Sequence, residues 1–297
     1  MIKRTHITLA LTILVVLAQS AFAGKRGSRD WYNVKEEETI TRTFTVDMSN
    51  PNRTIDIDNI WGSVEVTGGA GNQVEVVITK SIRAENQEGL DRAKKEVTLD
   101  ITQPDGGVRF FVDGPFRCNK NCDGCVNIRG DEMNYIVKMD FKVKVPERMK
   151  MKLRTVNEGN VRVTGVIGDY KVHNVNGHID MVDVGGSGKA RTVNGHVKVS
   201  FRENPKENSD FGSINGDVVL AMAGNFAADL RFKTFNGAVY TDYELTALPH
   251  TPAVAERRGS KFIFKSDRFT GGRVGAGGPE IKLENLNGDI RVVARHT

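Results

Sequence analysis

Apolar and polar residues alternate along most of this chain. In its second half the alternation changes phase at a recurring phrase: a small polar residue, an apolar residue, Asn, Gly, a variable residue, then Val or Ile. The phrase reads Asn174-Val175-Asn176-Gly177-His178-Ile179, then Thr192-Val193-Asn194-Gly195-His196-Val197. It returns as Ser213-Ile214-Asn215-Gly216-Asp217-Val218, Thr234-Phe235-Asn236-Gly237-Ala238-Val239 and Asn285-Leu286-Asn287-Gly288-Asp289-Ile290. An earlier form, Thr155-Val156-Asn157-Glu158-Gly159-Asn160-Val161, carries one extra residue, Glu158. From Gly159 the Gly-to-Gly steps are 18, 18, 21, 21 and 51 residues. Repetition near 20 residues is the period of solenoids.

The columns around each Gly are consistent. Five before stand Val172, Ala190, Phe211, Phe232 and Leu283. Two after stand Ile179, Val197, Val218, Val239 and Ile290, and four after Met181, Val199, Leu220, Thr241 and Val292. Inward positions are odd before the Gly and even after it, so the chain turns or bulges at Asn-Gly. Asn and Gly accept positive φ without strain. Two all-β folds satisfy this. In a parallel β-solenoid equal positions stack, and the Asn column forms a ladder of side-chain amides beside a second ladder of Ser, Thr and Asn. In an antiparallel β-meander each Asn-Gly is a hairpin turn. The near-constant period and the small polar column favour the solenoid.

The first half also reads as strands, at 39–46, 54–57, 59–66, 73–78, 97–101, 108–112 and 135–145, with a helix over 85–96. Residues 59–66 form a degenerate copy of the phrase, with Trp61 before Gly62. The predicted organisation is a strand-rich half over 39–150, with a Cys-bearing loop, followed by solenoid repeats over 151–297. A Pro- and Gly-containing insertion at about 243–278 accounts for the long last step.

The N-terminus changes where such a protein works. Lys3 and Arg4 precede an apolar run at 7–18, and Ala21-Phe22-Ala23 suits cleavage before Gly24. Residues 1–23 therefore read as a signal peptide and 24–38 as a basic, flexible tail. The net charge of +5 includes Lys3 and Arg4. The remaining balance is mild, and with export it disfavours nucleic acid as a partner.

The run Gly277-Gly278-Pro279-Glu280-Ile281-Lys282-Leu283-Glu284-Asn285-Leu286-Asn287-Gly288-Asp289-Ile290, with the earlier Asn-Gly-x-Val copies, resembles the bacterial adhesin-like family called domain of unknown function 4097. The resemblance covers roughly 40–297 and rests mainly on the later repeats. It implies an exported, β-solenoid-like protein with no established catalytic residues. The Cys-bearing segment is not part of the shared pattern.

Candidate chemistry is sparse. Cys118, Cys122 and Cys125 are spaced x3 then x2, like thiolates for an iron–sulfur cluster, but export and the absence of an α/β pattern argue against that. In an oxidising compartment the expectation is one disulfide, from Cys118 to Cys122 or Cys125, with one Cys left over. His178, His196 and Asp217 follow consecutive repeat glycines and would stack as two imidazoles and a carboxylate, a candidate cation site. An exposed turn column tolerant of polar residues is the simpler reading, and Ala238 in that column supports it. Asp169, Asp180 and Asp183 are the acids a carbohydrate-active β-helix enzyme would call on. No Gly-x-Ser-x-Gly elbow, phosphate loop or His-Glu-x-x-His motif occurs. Phe201, Phe211, Phe226, Phe232 and Phe235 are assigned to the core, leaving Trp31 and Trp61 as surface candidates.

The sequence thus points to an exported, non-enzymatic cell-envelope or surface scaffold, an adhesin-like module of the periplasm or cell surface with no cofactor. Its expected partners are an envelope or surface protein or a polysaccharide, with self-association through an open solenoid edge at 290–293. The alternatives are a carbohydrate-active enzyme and a metal-binding envelope protein.

Overall fold

A computed structural model describes residues 32–118, 134–249 and 269–295, together with the strand backbone of 254–258 and 261–265. The signal peptide, Trp31, Cys122 and Cys125 lie outside the described residues.

The first half contains β1 (Val34–Thr45), β2 (Thr54–Asp58), β3 (Val64–Gly69), β4 (Gln73–Ala84), α1 (Gln87–Glu96), β5 (Thr98–Thr102), β6 (Val108–Asp113) and β7 (Tyr135–Pro146). Strand β1 begins at Val34, so 34–38 are paired strand rather than flexible tail. Helix α1 starts where Asn86 caps it, its Oδ1 accepting from the Gly89 N–H at 2.9 Å. Leu90 and Ala93 are buried, and Lys94 ties the helix to Glu36 of β1 at 2.7 Å.

The repeats supply β8 (Lys150–Arg154), β9 (Val161–Thr164), β10 (Tyr170–His173), β11 (Ile179–Val184), β12 (Gly188–Asn194), β13 (Val197–Phe201), β14 (Ser209–Asn215), β15 (Val218–Met222), β16 (Ala228–Lys233) and β17 (Val239–Thr241). Then follow β18 (Thr246–Ala247), β19 (Val254–Arg258), β20 (Lys261–Lys265), β21 (Thr270–Val274), β22 (Glu280–Asn287) and β23 (Ile290–Ala294).

Consecutive strands of the repeats alternate between two sheets. The 10-stranded sheet runs β1-β4-β7-β3-β9-β11-β13-β15-β23-β17, and the 11-stranded sheet runs β18-β21-β16-β22-β14-β12-β10-β8-β2-β6-β5. Equal positions of neighbouring copies pair in parallel: Val172 with Ala190, Ala190 with Phe211, Phe211 with Leu283. The Asn-Gly phrases therefore do not close antiparallel hairpins. Antiparallel pairing is confined to β1, β4 and β7, to β5 with β6, and to the insertion strands.

The inward columns fill the space between the sheets. Val172, Ala190, Phe211, Phe232 and Leu283 are all buried, as are Ile179, Val197, Val218 and Ile290. One apolar cluster runs from Val46 to Val292, so the two halves share a single core. The degenerate copy joins it: β2 and β3 pair in parallel with β8 and β9.

The order of copies differs from their order in the chain. The Gly288 copy lies between those of Gly216 and Gly237, because β22 pairs with β14 and β16, and β23 with β15 and β17. Residues 290–293 are thus interior, not an open edge. The edge of this sheet is β17, where Val239, inward by column, is 38% exposed.

Glycine is required by close approach. A Cβ at Gly159, Gly177, Gly195, Gly216, Gly288 or Gly237 would lie less than 3.0 Å from the carbonyl oxygen of the preceding Gly in the stack. Gly195 also has φ +154°, a region L-residues rarely adopt. Gly195→Ala should therefore destabilise the fold by about 3 kcal/mol. A thermal or urea transition within error of wild type would refute the close-approach explanation.

Candidate binding face

Each copy turns at Asn-Gly, and three stripes run along that turn. The first is the Asn column, which forms a continuous amide ladder. Each Nδ2 donates to the preceding Oδ1: Asn176 to Asn157, Asn194 to Asn176, Asn215 to Asn194, Asn287 to Asn215 and Asn236 to Asn287, all at 2.7–2.8 Å. None of these Asn residues has positive φ, so the column is held by its side chains rather than by backbone preference. The extra Glu158 takes the left-handed conformation instead, at φ 54°.

The expected second ladder takes a different form. Thr192, Ser213 and Asn285 do not bond one another. Each side chain donates to the carbonyl of the preceding repeat Gly: Thr192 to Gly177 at 2.8 Å, Ser213 to Gly195 at 2.7 Å and Asn285 to Gly216 at 2.7 Å. These side chains point inward and are buried. A bonded hydroxyl or amide is what makes that burial tolerable.

The residue after the Gly forms the next stripe, and four of its members serve the neighbouring copy. Asn160 Oδ1 accepts from the His178 N–H at 2.9 Å, and His178 Nδ1 from the His196 N–H at 3.1 Å. Asp217 Oδ1 accepts from the Asp289 N–H at 2.9 Å, and Asp289 Oδ1 from the Ala238 N–H at 3.1 Å. Ala238 ends the series, with no further copy to serve. Its presence in the column reflects that place in the stack.

The structure brings two of the candidate metal ligands, His178 and His196, into contact. The His178 and His196 rings stack at 3.9 Å and 11°. Their atoms have other tasks, however. His178 Nδ1 is occupied, which puts its proton on Nε2, and His196 Nε2–H donates to Asp180 Oδ1 at 2.9 Å. Among the described residues no group of three or more His, Cys, Asp or Glu is arranged to hold a metal ion. The acids considered for glycoside chemistry are each engaged by a different neighbour. Asp180 holds His196, Asp183 accepts from Arg295 at 2.9 Å, and Asp169 accepts from the Ser187 N–H at 3.4 Å. Cys118 is exposed. The other two cysteines lie outside the described residues.

Outside these bonded columns runs an apolar stripe, two residues before each Gly. In stack order it is Val175, Val193, Ile214, Leu286 and Phe235. The first two are half-buried; Ile214 is 43%, Leu286 44% and Phe235 73% exposed. The assignment of Phe235 to the core is therefore wrong. Phe201, Phe211, Phe226 and Phe232 are buried as expected. The parity rule already held the answer for Phe235: an even offset before the Gly has the opposite sense to the inward offsets of three and five. Trp61 is also corrected. It is 7% exposed and packs edge-on against Phe116 at 5.2 Å. Trp61 takes the Asn place in its copy and bridges to Asn157, so it closes the inner end of the amide ladder.

No family model matches the chain, and no curated protein does. Among solved structures, a "putative cell adhesion protein" from Clostridium sporogenes is 10% identical over 87% of this chain and 100% of its own, with a TM-score of 0.36. A "putative adhesin" from Bacteroides fragilis is 13% identical over 87% and 97%, with a TM-score of 0.37. A "putative lipid binding protein" from Parabacteroides distasonis is 10% identical over 86% and 96%, with a TM-score of 0.27. Function is therefore argued from the residues themselves. No helix among the described residues is long and apolar enough to cross a membrane.

The imidazole pair generates a pH prediction. Burial, followed by the His196 charge, holds His178 below the ordinary histidine range. A histidine with a lowered folded pKa binds its proton more readily when unfolded, so stability falls as pH drops through and below about 6.5. His178→Asn keeps an acceptor for the His196 N–H, as Asn160 does for His178, but cannot titrate. Its melting temperature should fall less than that of wild type between pH 7.5 and 5. Equal slopes would show that His178 does not contribute.

Proposed function

We propose that the chain is an exported, non-enzymatic scaffold of the cell envelope or surface, an adhesin-like binding module built as a β-solenoid. One observation carries this reading. The Asn column, the small polar column and four of the residues after the Gly are bonded to the neighbouring copy, while Ile214, Leu286 and Phe235 beside them are left exposed. Repetition has thus produced a straight exposed stripe, Ile214, Leu286 and Phe235 above all, flanked by a rigid row of amides. A fixed row of apolar anchors beside hydrogen-bonding groups suits a partner surface, because little side-chain entropy is lost on contact. The engaged acids and imidazoles support the non-enzymatic side of the reading.

Binding of the labelled exported chain to isolated bacterial envelopes tests it. Ile214→Asp, Leu286→Asp and Phe235→Asp change exposed side chains, so melting temperature should stay near that of wild type. Retention on envelopes should fall by about tenfold or more for the triple variant. Unchanged retention, or release of reducing sugars from envelope polysaccharide by the wild type, would replace this reading with another.

A further inference from the structure

The outward columns of the second sheet carry like charges in register. Lys152, Lys171 and Lys189 face one another across β8, β10 and β12, and Arg154, His173 and Arg191 form the next column. Strands lie about 4.8 Å apart and alternate residues about 6.6 Å apart, so the six share a patch roughly 10 Å by 7 Å. Like charges directly opposite one another destabilise a sheet.

Acids tie off the margins of the patch and leave its centre open. Asp56 holds Lys152 at 3.3 Å. Arg191 turns away toward Asp210 at 2.6 Å and Glu284 at 3.1 Å. It passes over Gly212, where a Cβ would crowd its guanidinium. Asp58, the register partner of Arg154, is taken by the buried Arg117 at 3.0 Å. Arg154, Lys171 and Lys189 form no ion pair among the described residues, and the buried Arg154 Nε has no hydrogen-bond partner. His173 lies between Arg154 and Arg191, and burial, then Arg154 and Lys171, holds it below the ordinary histidine range.

We propose that this face binds an acidic polysaccharide, whose successive carboxylates are held by Arg154, Lys171 and Lys189. The proposal rests on the reading of the protein as a surface scaffold and gives that scaffold a ligand class. Contacts between exposed charges are individually weak, about 0–1 kcal/mol each. A polymer that repeats its charge gains by adding such contacts along a line, which a single small anion cannot do. Among the described residues the patch offers no exposed aromatic ring on which a base could stack and no apolar side chain to enter a bilayer. The exposed apolar residues of the repeats lie instead on the Asn-Gly turn (Ile214, Leu286 and Phe235) or on the 10-stranded sheet (Val182, Val239 and Tyr240).

Titration of the full exported chain with polygalacturonate oligosaccharides, with neutral dextran as control, tests the proposal. Uronate should bind, dextran should not, and affinity should fall as salt rises. Lys171→Glu with Lys189→Glu should weaken uronate binding at least tenfold while leaving melting temperature unchanged or higher, because repulsion is relieved. Arg154→Gln should weaken it independently. Absence of uronate binding at low salt, or binding indifferent to these substitutions, overturns the proposal. Tighter patch-dependent binding to anionic lipid vesicles or to single-stranded DNA overturns the choice of a polysaccharide. Wild-type protein that ignores uronate yet stays on envelopes sinks this inference alone; protein that does neither sinks the scaffold reading as well.

Discussion

The close approach of one repeat glycine to the next governs this fold. At each turn the carbonyl oxygen of the preceding Gly occupies the space a Cβ would need. That oxygen would be costly to bury unbonded. It accepts instead from a Thr, Ser or Asn side chain three residues before the next Gly, as with Thr192 on Gly177 and Ser213 on Gly195. Steric fit and hydrogen bonding thus fix two residues of the phrase together. Once the glycines are stacked, the Asn amides stand at ladder distance and the inward Val, Ile and Phe columns meet across the core. A one-residue slip would turn every inward side chain outward.

The column after the Gly adds a further tie between copies. Four of the residues after a Gly offer an acceptor to the next copy, Asn160, His178, Asp217 and Asp289, while His196 turns its ring to Asp180 instead. Ala238 has none to offer. The copy carrying Ala238 lies at the outer end of the described stack, where no further N–H calls for that acceptor. The small polar bond is also longest there, 3.4 Å from Thr234 to Gly288. The insertion allows the chain to return and lay the Gly288 copy inside it.

Much of this architecture was legible in the sequence, because a repeated column has one environment. The inward assignment of Val172, Phe211, Val218 and Leu283 needed only parity and period. The stack order was not legible: every copy carries the same phrase, so every copy can pair with every other, and proximity in the chain suggested an edge at 290–293. Trp61 was hidden differently. Its side chain lies in the Asn column, whose Asn members are half-buried or exposed, and Phe116, from the turn after β6, packs over it, a contact between distant segments that no periodicity reports.

Stacking also changes what a surface residue can do. On an irregular loop two lysines 18 residues apart have no fixed relation; here Lys171 and Lys189 are direct neighbours because their glycines are. Columns used for stacking cannot vary freely, since each member bonds or packs against the next. Columns at even offsets before the Gly face outward and bond from copy to copy only in places, as Arg191 does to Asp210 and Glu284. They hold the basic patch at six and four residues before, and the apolar stripe at two before. On the proposed reading, recognition resides in the positions the repeat leaves least constrained, and the repeat itself lines those positions up.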